Sequence, residues 1–84
     1  MSEVTRAAEL LGSRIREVRK KRGLTQVVLA ESSGIPQSHM SSIERGAMLP
    51  NLVTLGRLAA ALGCKVSALV GVFDKEDLAK LFPK

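Results

Sequence analysis

The residues of this chain best equipped for chemistry lie close together, in the stretch TQVVLAESSGIPQSHMSSIERG at 25–46. Gln26, Gln37, Ser38, His39, Ser41, Ser42 and Arg45 all fall within it, and what they can do is hydrogen-bond rather than make or break bonds. A glutamine amide pairs with any edge that offers one donor and one acceptor side by side, and a serine hydroxyl gives or takes a proton. Catalysis would need more. The chain has one His and one Cys, with no acid pair beside either, so no catalytic constellation is recognisable and the chain does not read as an enzyme. His39 has no ligand cluster around it, so neither a metal nor a cofactor is expected.

These side chains need elements to hold them. Leu11, Ile15 and Val18 recur at i, i+4 and i+7, which predicts a first helix over 7–22, closed by Gly23. Thr25 caps a second helix over 26–32 that turns Leu29 and Ala30 inward. Gly34 supplies a sharp turn. Pro36 fits the first turn of a third helix over 36–45, where its missing N–H has no partner to lose. That helix has only Met40 and Ile43 as aliphatic residues and stops at Gly46. Asn51 caps a fourth helix with Leu52, Leu55, Leu58, Ala59 and Leu62 as its apolar stripe, ended by Gly63. A short fifth follows over 66–70. In FDKEDLAKLF, Asp74 can cap a sixth, with Asp77 as capping-box partner and Phe73 stapled to Leu78. No strand-like alternation, internal repeat or low-complexity tract interrupts this pattern, and the expected fold is all-α with five to six helices.

The totals agree. Eighty-four residues suit one small domain, with no room for a ligand-sensing domain, so no small-molecule ligand is expected. There is no Trp or Tyr and only two Phe, which makes the core aliphatic. No apolar run approaches the roughly 18 residues that cross a bilayer, and the N-terminus lacks the pattern of a signal peptide. A single Cys agrees with a reducing compartment, and a cytoplasmic location without membrane contact is expected. The formal net charge is +5, and it is unevenly spread. Residues 10–70 hold nine basic side chains against three acidic, whereas 71–84 hold three of each. This surplus points either to a polyanionic partner or to a solvated face kept for solubility.

Two short helices joined by a tight glycine-containing turn form a helix-turn-helix, an arrangement that offers its second helix to the DNA major groove. Such a helix needs only enough apolar residues to dock, here Ile35, Met40 and Ile43, and its other positions are free to carry hydrogen-bonding groups. Glutamine can pair with adenine, and serine suits several bases. RGLTQ at 22–26, LA at 29–30, IERG at 43–46, then Leu55, Leu58, Ala59, Leu62 and Gly63, make the region 11–70 resemble the Cro/CI-type (XRE) helix-turn-helix domain, as in lambda-repressor-like DNA-binding domains.

The resemblance implies a transcriptional regulator that binds double-stranded DNA as a homodimer. It implies base reading by Gln37, Ser38 and Ser42, with Ser41 beside them. Gln26 and Gln37 resemble a glutamine pair that braces base contact against the phosphate backbone. Thr25, Gln26 and Arg45 would contact phosphates, and His39 would face solvent or a phosphate. Arg19 and Glu44 match a pair that bridges the first helix to the end of the third, a brace here in preference to a DNA role for Arg19. Arg14, Arg16, Lys20, Lys21 and Arg22 surround their helix and would serve general attraction or solvation.

Some positions depart from the resemblance. Val27 and Val28 stand where polar residues are usual; they would pack against the N-terminal extension 1–10 or meet a partner. Lys65 replaces the usual Ser or Thr cap, and Gly56 costs its helix up to about 1 kcal/mol, which close approach of a dimer partner would offset. Cys64 reads as core. The segment 71–84, with Leu78, Leu81 and Phe82, is expected either to form a dimerisation element with the fifth helix or to fold back on its own domain. The alternative function, from another class, is an antitoxin or adaptor that uses the same fold mainly to bind protein.

Overall fold

The computed structural model describes residues 3–73 together with 78 and 79. Among residues 3–73, five helices follow one another: α1 (Glu3–Lys21), α2 (Gln26–Ser33), α3 (Gln37–Glu44), α4 (Leu52–Leu62) and α5 (Val66–Val70). No strand occurs among the described residues, and the all-α architecture is as expected. One core unites them. Leu11, Ile15 and Val18 of α1 meet Leu29 of α2, Met40 and Ile43 of α3, Leu55, Leu58 and Leu62 of α4, and Leu69 of α5. Leu24, Cys64 and Phe73 pack against its edges, so Cys64 does stand in the core's margin.

Local chemistry sets the helix ends. Thr25 Oγ1 accepts from the Val28 N–H at 3.1 Å and Asn51 Oδ1 from the Thr54 N–H at 2.8 Å, each meeting one of the first-turn donors that a helix leaves unpaired. Gly34 ends α2 in the left-handed region, φ 70°, with the Ile35 N–H reaching back to the Ala30 carbonyl at 3.0 Å. That is a Schellman closure, and it folds the chain tightly enough to set α3 across α2.

Four expectations need correction. The first helix begins earlier than residue 7, because α1 already includes Glu3 and buries Ala7 and Ala8. Nothing between Glu3 and Leu10 breaks a helix, so α1 runs back to the first described residue. Val27 and Val28 are exposed instead of covered by that segment, whose neighbour is the Gly46 loop. Pro36 precedes α3 as its N-cap, with extended ψ of 142°, and does not lie within the first turn. Leu52 is 74% exposed and leaves the α4 stripe to Leu55, Leu58, Ala59 and Leu62, which already fill the i, i+3, i+4, i+7 face. The predicted sixth helix lies largely outside the described residues, although Leu78 is described and exposed.

Candidate nucleic-acid interface

α3 is a helix held from one side. Met40 and Ile43 are fully buried and Glu44 nearly so, while Gln37 and Ser38 are exposed and Ser41 and Ser42 half-exposed. The predicted base-reading residues therefore share the outward face. His39 is half-buried on the flank. No side chain caps α3, so its first-turn N–H groups and the positive end of its dipole lie beside Gln37 and Ser38.

The brace under this helix is an ion pair. Arg19 Nε donates to Glu44 Oε2 at 2.7 Å and Nη2 to Glu44 Oε1 at 3.0 Å, with Glu44 side-chain exposure of 3%. Arg19 Nη1 also donates to the Leu24 carbonyl at 2.9 Å, which ties the α1–α2 loop into the same fork. The hydrogen bonds to Glu44 raise the Arg19 pKa against the opposing effect of burial, and the Coulomb attraction adds to the rise. Two nearly parallel bonds between a planar guanidinium and a carboxylate fix angle as well as distance. The brace therefore orients the end of α3.

Gln26 makes a bond within the fold that spacing did not announce. Its Nε2 donates to Glu44 Oε1 at 3.3 Å, so the start of α2 is tied to the end of α3, and Gln37 keeps its amide exposed to solvent. Arg45 also takes an unexpected direction, with Nη1 donating to Ser41 Oγ at 3.0 Å and Nη2 to Ser42 Oγ at 3.4 Å. Ser42 Oγ in turn donates to the Ser38 carbonyl at 3.1 Å. Arg14 proves structural: its Nε donates to the Ala68 carbonyl of α5 at 3.0 Å while its terminal group pairs with Glu17. Spacing gives no sign of a bond between residues so far apart in the chain.

The interface has no metal-binding cluster among the described residues. No helix among them is long and apolar enough to cross a membrane.

Residues 15–69 match the Helix-turn-helix family. The chain is 49% identical over 72 residues to an immunity repressor protein of Bacillus phage phi105, a match that covers 83% of the chain and half of the phage protein. It is 40% identical over 67 residues to the HTH-type transcriptional regulator y4dJ of Sinorhizobium fredii, covering 80% of the chain and 87% of that regulator. Among solved structures, the restriction-modification controller protein C.AhdI from Aeromonas hydrophila superposes with a TM-score of 0.72 at 37% identity, over 74% of this chain and 94% of the controller.

Proposed function

The chain belongs to the helix-turn-helix family of DNA-binding transcriptional regulators, of the Cro/CI (XRE) type, and on that premise we propose that it acts as a homodimer on an operator of two half-sites. The observation that carries this reading is the one-sided anchoring of α3. Met40, Ile43 and the Arg19–Glu44 brace hold its inner side, and short polar side chains occupy the outer side.

Gln37 and Ser38 stand at the start of α3, the part of a recognition helix that enters the major groove first. Gln37 can take an adenine edge, and Ser38 several. Thr25 and Gln26 open α2, where first-turn N–H groups favour a phosphate oxygen; Gln26, bonded to Glu44, would also couple that backbone contact to the placement of α3. His39, on the flank, would face solvent or a phosphate. A helix this short reads only a few base pairs, so two copies bound about 34 Å apart are needed for a selective site.

A second reading, an antitoxin or adaptor whose main partner is a protein, is favoured by one observation. Val27, Val28, Met48, Leu49, Leu52 and Val53 are all exposed, an unusual amount of bare aliphatic surface for so small a domain.

Selection of duplexes from a random pool by the purified chain decides between the readings. The expected outcome is an enriched inverted repeat, with half-site centres one helical turn apart, bound with a log affinity that falls linearly with log salt. Recovery of no preferred sequence would overturn the operator reading and leave the adaptor.

A further inference from the structure

The outward face of α3 does not stop with its serines. Ser38, Ser41, Ser42 and Arg45 stand at i, i+3, i+4 and i+7, which is one line along a helix. Arg45 keeps helical angles, φ −77° and ψ −7°, and its N–H donates to the Ser41 carbonyl at 3.0 Å, so the register holds through it. Met40, Ile43 and Glu44 fill the opposite side. The loop after Arg45 is itself held against α1. Gly46 turns the chain at φ 74°, and a Cβ there would stand 2.7 Å from Glu9 Cα, so α1 closes over the loop. A side chain that grips phosphate from a recognition helix works from its flanks, where the two strands pass. Arg45 is on the middle line.

We propose that Arg45 is a base-reading residue that takes a guanine edge, and that Ser41 and Ser42 are positioning residues for its guanidinium. The assignment rests on the DNA-binding function proposed for this chain, and it replaces the backbone role that family resemblance implied for Arg45. Guanine offers two adjacent acceptors in the major groove, O6 and N7, and a guanidinium offers only donors in a planar fork. Each serine oxygen takes one N–H, from Nη1 and from Nη2, and the remaining N–H groups stay available. The same bonds limit Ser42 as a reader. Its proton is committed to the Ser38 carbonyl, and a lone pair faces Arg45. Holding the fork before contact reduces the rotamer freedom lost on binding, the usual handicap of an exposed arginine.

The test uses the full chain, duplexes it selects from a random pool, and every single-base variant of the enriched half-site. Arg45→Ala and Arg45→Lys should both lose discrimination at one G·C pair per half-site, by roughly 5- to 150-fold, and keep their preference elsewhere. Lysine is the informative variant, since it retains the charge a phosphate needs but lacks the fork. Ser41→Ala combined with Ser42→Ala should weaken preference at that same pair. If Arg45→Ala instead lowers binding to selected and scrambled duplexes alike, with a salt slope shallower by about one unit and Arg45→Lys near the parent, Arg45 is a phosphate contact and the proposal falls. A parent chain that enriches no sequence overturns the operator reading itself, and this assignment with it.

Discussion

Glu44 joins folding to recognition in a single side chain. It accepts from Arg19 of α1 and Gln26 of α2 while its own backbone closes α3, so three helices share one buried carboxylate. Gln37, at the other end of α3, faces outward and bonds nothing that holds the fold. The two residues should respond oppositely to deletion. Glu44→Ala strands the Arg19 charge beside the core, and breaking a buried pair from one side costs about 3–5 kcal/mol, a large part of the stability of a domain this small. A urea unfolding curve should show the midpoint displaced with little change in slope. Gln37→Ala should leave that curve within about 0.5 kcal/mol of the parent, yet reduce discrimination at one base pair by about 1–3 kcal/mol. A Gln37 variant that unfolds early, or keeps full base preference, would remove it from the reading face. The Arg19–Glu44 pair was legible through family resemblance. The Gln26 bond to Glu44 was not, because a glutamine at the head of a helix can reach several partners and only the packing angle of α2 on α3 selects one.

At the scale of the elements, two helix-interior glycines carry opposite expectations that sequence alone could not separate. Gly12 lies where α1 crosses the end of α3. A Cβ there would stand 2.9 Å from the Glu44 carbonyl oxygen and closer still to that of Ile43. Both are backbone atoms and cannot step aside. Gly12→Ala gains about 1 kcal/mol of helix propensity and loses more by forcing the two helices apart, since overpacking costs about 1–3 kcal/mol. The variant should melt earlier and bind DNA less tightly, because α3 moves as a body. Gly56 in α4 has nothing within 4 Å of the added carbon, so Gly56→Ala should stabilise the isolated domain by up to about 1 kcal/mol. Thermal melts of the two variants decide this, and equal shifts of the same sign would refute the contrast. Stripes and caps made α2, α3 and α4 legible, with Thr25, Gly34 and Asn51 in their foreseen places. The start of α1 was not legible because no breaker between Glu3 and Leu10 marks it, and the exposure of Leu52 was not because its spacing fits the stripe that Leu55, Leu58, Ala59 and Leu62 already fill.

For the whole molecule, charge and apolar surface are divided along the chain. Residues 10–70 carry the positive surplus suited to DNA, and 71–84 are balanced. Phe73 packs against the domain's own core, so that much of the C-terminal region belongs to the monomer. Leu78 is exposed, and Leu81 and Phe82, the rest of the predicted apolar face, lie outside the described residues. Periodicity predicts such a face but not what covers it, which is why assembly was the least legible property. An apolar face beyond a completed core has no reason to persist in water unless something covers it, and a second copy is the partner that the proposed two-half-site operator calls for. A chain ended after Phe73 keeps every described core residue and loses the segment that carries Leu78, Leu81 and Phe82. It should sediment as a folded monomer at concentrations where the full chain is a dimer. Its affinity for the selected operator should drop to that of a single half-site, with binding to each half-site unchanged. A shortened chain that remained dimeric would place the interface elsewhere, with the exposed Leu52 and Val53 of α4, beside the half-buried Gly56, as the next face to mutate.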